Sequence, residues 1–244
     1  MSGHSKWATI KHKKAATDAK RGALFTKLIK EITVAARSGG NPEINPKLRV
    51  AIDHAKEASM PSDNIERAIK KGTGELPGVS YEEMTLEGYG PGGVAIYVEL
   101  LTDNKNRTSS EVRNLFSKKG GNMAGAGSVS WIFEKKGYIV VSKSTIDEDR
   151  LMSIALDAGA EDLIVEDNEF GVKTAPQDFY KIKKALDDNK IKIESAELTM
   201  LPKNTVNLSG DDAKKVLDLV SSLEEHEDVQ NVYANFDIPD DLLT

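Results

Sequence analysis

The sequence predicts an α+β fold: an N-terminal three-helix domain plus two ferredoxin-like α+β domains, one of them discontinuous. Three observations carry this. Apolar residues recur at helical spacing in three short stretches before residue 73. From residue 80, runs rich in branched and aromatic residues alternate with single helical segments. Residues 138–202 then hold the order βαββαβ, the ferredoxin-like signature.

Residues 1–20 have little apolar content beyond Trp7 and Ile10 and read as an exposed basic arm. Leu24, Phe25, Leu28, Ile29, Ile32 and Ala36 then share one helical face. Ser38-Gly39-Gly40-Asn41-Pro42 ends that helix. Leu48, Ala51, Ile52 and Ala55 give a second helix its apolar stripe. Pro61 suits the first position of a third helix, which buries Ile65 and Ile69 and is expected to be capped by Gly72.

Tyr81–Glu87 and Val94–Leu101 read as strands, and Thr108 to Glu111 as a capping box opening a helix with Val112, Leu115 and Phe116. Ser128–Glu134 is expected as the next strand. The ferredoxin-like ladder follows: strand Tyr138–Ser142; a helix with Leu151, Ile154 and Ala155; strands Leu163–Glu166 and Phe170–Thr174; a helix with Phe179, Ile182 and Leu186; and strand Ile193–Leu201. The tail adds strand Thr205–Leu208, a helix after Ser209 and strand Val229–Phe236.

Neither 80–135 nor the tail can bury all its apolar faces alone. They are therefore expected to combine into one discontinuous domain. The expected boundaries are 1–78 for the arm and helices, 79–136 plus 204–244 for the discontinuous domain, and 137–203 for the inserted one.

The chain has 244 residues and no cysteine, which removes disulfides, thiol catalysis and Cys-based zinc sites. No apolar run of about 18 residues suggests a membrane span, and the N-terminus lacks a signal-peptide apolar core. A cytoplasmic protein is expected. The net charge is −6, but it is unevenly placed. Residues 1–37 carry nine Lys/Arg (Lys6, Lys11, Lys13, Lys14, Lys20, Arg21, Lys27, Lys30, Arg37) against Asp18 and Glu31. That stretch sums to +7, so the remainder sums to −13. Such a split suggests a polyanion-facing tip on an acidic body.

Candidate chemistry is sparse elsewhere. Gly88-Tyr89-Gly90-Pro91-Gly92-Gly93 matches a dinucleotide fingerprint literally, but a strand rather than a helix follows it, so a tight hairpin connection is expected. Gly120-Gly121-Asn122 and Gly125-Ala126-Gly127 flank Met123 in a glycine-rich loop that either bends the chain or admits a ligand. His4, His12, His54 and His226 form no metal-ligand spacing, and no pair of carboxylates is placed for acid–base work. No catalytic residue, metal, cofactor or small-molecule substrate is expected, and the chain reads as a non-enzyme. The arm lysines can neutralise phosphates. Trp7 either stacks on an unpaired base or anchors the arm. Asp103-Asn104-Lys105-Asn106-Arg107-Thr108 places cations before a helix N-terminus, a setting for phosphate. The expected contact residues are Lys6, Trp7, Lys11, His12, Lys13, Lys14, Lys20, Arg21, Lys27, Lys105, Asn106 and Arg107.

Several segments resemble the YebC family, which includes PmpR-type regulators and mitochondrial translational activators of cytochrome oxidase. They are Gly3-His4-Ser5-Lys6-Trp7, Ile10-Lys11-His12-Lys13-Lys14, Met60-Pro61 leading into Asn64–Ile69, Glu87–Gly93, Asp103–Thr108, Gly120-Gly121-Asn122, and Asn231–Phe236. The resemblance spans almost the whole chain. It implies one helical and two α+β domains and a non-enzymatic role in gene expression. Two partners stay open: DNA, as a transcriptional regulatory protein, or ribosomal RNA, as a ribosome-associated translational activator.

Overall fold

The computed structural model describes residues 18–166 and 168–239. Its helical part comprises α1 (Asp18–Ala35), α2 (Pro46–Glu57) and α3 (Ser62–Thr73). Leu28, Ile32, Leu48, Ala51, Ile65 and Ala68 meet in one small core. Asn45 joins two helices at once. Its side-chain oxygen accepts from Leu48 N to cap α2, and its amide donates to Ala35 O and Gly39 O at the end of α1. Gly72 is not the cap of α3. The helix continues to Thr73, and Gly74 closes it at φ +84°. A Cβ on Gly72 would stand 2.4 Å from Thr33 O and 2.6 Å from the Ala36 Cβ. The glycine is there so that α3 can lie directly on α1.

The discontinuous α+β part is built on β1 (Glu82–Tyr89), β2 (Ala95–Thr102), α4 (Lys105–Lys118) and β3 (Asn122–Ala124). After the inserted unit come β8 (Val206–Asn207), α7 (Gly210–Glu224), β9 (Val229–Ala234) and β10 (Phe236–Asp237). Its sheet runs β3-β1-β2-β9, so the strand from the chain's tail pairs antiparallel with β2. Val112 and Phe116 of α4 and Val216, Leu219 and Leu223 of α7 pack with Ile96, Val98 and Leu100 of β2. The face that neither segment could cover alone is thereby closed. Asn235 locks the join: Ala95 N donates to its side-chain oxygen at 2.7 Å, and its own N–H donates to Ala95 O.

The inserted unit holds β4 (Phe133–Ser142), α5 (Glu148–Ala158), β5 (Asp162–Val165), β6 (Glu169–Thr174), α6 (Phe179–Asp188) and β7 (Ile193–Pro202). Its antiparallel sheet has the order β5-β6-β4-β7 over a core that includes Ile139, Val141, Leu151, Ile182 and Leu186. This is the ferredoxin-like order, with the first and third strands at the centre.

One local expectation stands and two are corrected. Gly90-Pro91-Gly92-Gly93 is the β1–β2 hairpin connection, as expected, with Gly92 at φ +69°. The helix α4, however, starts earlier than the Thr108/Glu111 pattern suggests. Asn104 is its cap, accepting from Arg107 N. Ser128–Glu134 is also not one strand: Ser130–Ile132 forms a 3-10 turn, and the strand begins at Phe133 and runs on through the Tyr138–Ser142 segment. The cause is the 5% exposed Glu87, whose carboxylate accepts from the N–H groups of Gly127, Val129 and Ser130. Donors held by a carboxylate cannot join a ladder.

Candidate nucleic-acid interface

Two lysines of α1 point into the protein rather than toward a partner. Lys27 Nζ donates to Glu224 O at 2.6 Å, and Lys30 Nζ donates to Glu227 O at 3.0 Å and to Asp228 Oδ1 at 2.6 Å. Glu224 is the last residue of α7. The cations therefore sit at the negative end of that helix's dipole and satisfy carbonyls that have no helical donor. Arg37 Nη2 donates to Ser80 Oγ.

Asp228 is the hub of this junction and is 1% exposed. Its Oδ1 takes Lys30; its Oδ2 takes Arg107 Nη2 at 2.8 Å, with the hydroxyls of Thr108 and Thr102 at 2.7 and 3.2 Å. Burial alone would raise its pKa. The Lys30 ammonium, the Thr108 hydroxyl and the Arg107 guanidinium overcome that and hold it well below the ordinary carboxylate range. One carboxylate thus ties α1, β2 and α4 to the turn before β9.

The expected contact residues divide into three groups. Lys6, Trp7, Lys11, His12, Lys13 and Lys14 lie outside the described residues. Lys20 falls on the first turn of α1, and Arg21 is exposed beside it, with its guanidinium 5.5 Å from the Phe25 ring centroid. Lys27, Lys105 and Arg107 hold partners in the chain. Lys105 pairs with Glu82 at 2.5 Å, and Arg107 pairs with Asp103 as well as Asp228. Asn106 is exposed on the first turn of α4. The helical unit also exposes Lys47, Arg49, Lys56, Arg67, Lys70 and Lys71. Among the described residues no group of three or more His, Cys, Asp or Glu could hold a metal ion, and no helix is long and apolar enough to cross a membrane.

The profile of the TACO1/YebC protein N-terminal domain matches residues 5–75, and that of the TACO1/YebC second and third domain matches residues 81–236. The chain belongs to the TACO1/YebC family. Among its TACO1/YebC relatives, a protein of Dictyoglomus turgidum named a probable transcriptional regulatory protein is 59% identical, over 100% of this chain and 98% of its own. A protein of Halothermothrix orenii with the same description is 57% identical over 100% of this chain and 98% of its own. The crystal structure of a conserved hypothetical protein from Aquifex aeolicus superposes with a TM-score of 0.82 at 51% identity, covering 94% of this chain and 96% of that one. The α+β fold is thus that of a solved neighbour.

Sequence reasoning missed Asp228 and Glu87 as organising residues of this TACO1/YebC chain. Glu87 begins the Glu87–Gly93 segment that resembles the family. Asp228 carried no such mark, since it reads as one acid among Glu224-Glu225-His226-Glu227-Asp228.

Proposed function

We propose that this protein is a non-enzymatic regulator of gene expression that binds nucleic acid, acting as a DNA-binding transcriptional regulator in the cytoplasm. The observation that carries the reading is the partition of its N-terminal cations. Lys27, Lys30 and Arg37 hold partners within the chain. The other six of the nine, Lys6, Lys11, Lys13, Lys14, Lys20 and Arg21, crowd into residues 1–21. That placement suits phosphate neutralisation and counterion release, with His12 as a further donor and Trp7 as a base-stacking ring. Asn106 is a second, uncharged donor near the surface of α4. The descriptions of the relatives as probable transcriptional regulatory proteins support DNA as the polyanion.

The test compares duplex-DNA binding with ribosome co-sedimentation at about 150 mM salt, using the full chain and a variant with Lys6, Lys11, Lys13 and Lys14 changed to Gln. Each phosphate contact contributes about 0.9 to the slope of log K against log salt. The quadruple variant is expected to lower the duplex slope by roughly 3–4. Weak duplex binding alongside stable co-sedimentation would overturn the DNA reading in favour of ribosomal RNA. An unchanged slope for both interactions would overturn the role of the arm.

A further inference from the structure

We infer that Trp131 and Tyr89 form a second nucleic-acid contact that stacks unpaired bases of a single strand. Trp131 is 62% exposed and Tyr89 is 39% exposed. A single exposed ring is ordinary, but two at one spot form a patch that a partner can cover. Neither ring is loose. Trp131 Nε1 and the Tyr89 hydroxyl both donate to the same carbonyl, Ser128 O, at 3.0 and 3.1 Å. That carbonyl belongs to the turn whose N–H groups are clamped by Glu87. The backbone carbonyl of Trp131 in turn accepts from Lys203 Nζ at 3.1 Å. Two aromatic side chains are therefore held at one spot with their polar atoms satisfied and much of their surface left in water. Little conformational freedom remains to be lost on binding.

The groups bordering the rings select the occupant. Lys203 supplies a cation, and the exposed amide of Asn122 lies directly across the β1–β3 pairing from Tyr89. The nearby carboxylates are already engaged, Glu87 by backbone donors and Glu134 by Lys136 at 3.0 Å. Aromatic faces beside a cation and a neutral amide fit a stacked base with its phosphate. In a duplex the base faces are covered by their neighbours, so an unpaired strand is the ligand.

Trp131 can be observed alone, because the chain has only two tryptophans, Trp7 and Trp131. In the Trp7→Phe full-length protein, titration with oligo(dT) or oligo(U) is expected to quench tryptophan fluorescence saturably, with either sugar supporting the inference. A blunt duplex of the same length is expected to quench far less. Trp131→Ala should weaken single-strand binding about tenfold, the weight of one stacked base, and Trp131→Phe should recover most of it. The ring is exposed, so thermal melting of these variants should be unchanged. Combining the four arm Lys→Gln changes with Trp7→Phe should weaken binding yet keep the Trp131 signal. Equal quenching by duplex, no quenching by either oligonucleotide, or loss of the signal in the arm variant would overturn the inference.

Discussion

Asp228 shows how much one residue can organise and how little the sequence says about it. Lys30 is 5% exposed and Asp228 1%, so removing the carboxylate leaves a buried ammonium without its counter-charge. Asp228→Ala is expected to destabilise the protein by about 3–5 kcal/mol in urea unfolding. Adding Lys30→Met should cost little more, because the unpaired cation disappears with it. Its depressed pKa also fixes a sign. The stabilisation is fully present above the unfolded-state carboxylate value and is lost as pH falls below about 4; Asp228→Asn should flatten that acid limb. His54 behaves oppositely. Its Nδ1 lies 3.4 Å from Glu31 Oε1, and that pairing, with help from Glu57 and Glu197 and against partial burial, raises its pKa. Its contribution is present below about pH 6.5 and lost as pH rises through the folded value. An imidazole NMR titration should place its midpoint above that of a model histidine, and Glu31→Gln should bring it down. Thr108 marks where residue-level reading fails. Thr-x-x-Glu is a capping pattern, yet Asn104 is the cap and the Thr108 hydroxyl is fully buried against Asp228. A pattern of local spacing carries no information about an acid 120 positions away.

At the scale of elements, the regular helices and strands were largely legible, because each buries a stripe with its own period. What the period does not record is a partner outside the element. The turn at Ser130–Ile132 reads as strand from its branched and aromatic residues, and only the Glu87 carboxylate, 42 positions from Val129, diverts its N–H groups. Glu87→Gln is therefore expected to cost about 2 kcal/mol, the usual range for hydrogen bonds to a charged group, and to speed amide exchange at Val129 and Ser130 more than in α7. The charge of α1 was legible and its direction was not. Lys27 and Lys30 look like solvated cations by spacing, but 197 positions separate Lys27 from the helix end it caps. Lys27→Ala should lower stability by roughly 0.5–1 kcal/mol while leaving the salt slope of nucleic-acid binding unchanged, which distinguishes it from the arm lysines.

At the scale of the molecule, the discontinuous architecture followed from asking which faces could be covered, and it makes a prediction about fragments. The inserted unit closes its own core from Ile139 to Ile191, with both helices and all four strands contributed by one stretch of chain. Residues 133–202 alone are therefore expected to fold, with modest stability for so small a core. One outer surface will miss its neighbour: Phe133 and Met200 pack with Ala95, Tyr97 and Tyr233 of the other sheet. Phe133→Ser should consequently help the fragment's solubility while harming the full chain. Residues 79–132 alone face a different problem. They would keep β1, β2 and α4 but lose β9 from the edge of β2, and Val216, Leu219 and Leu223 from the face of Ile96 and Phe116. They should show no cooperative melt. Joining them to 204–239 through a short glycine linker in place of the insert restores the sheet partner and the second helix. Proton NMR dispersion and a single thermal transition should return together. A cooperative melt from 79–132 alone would mean that the sheet does not depend on the tail, and the proposed division of the chain at 79–136 plus 204–244 would have to be redrawn.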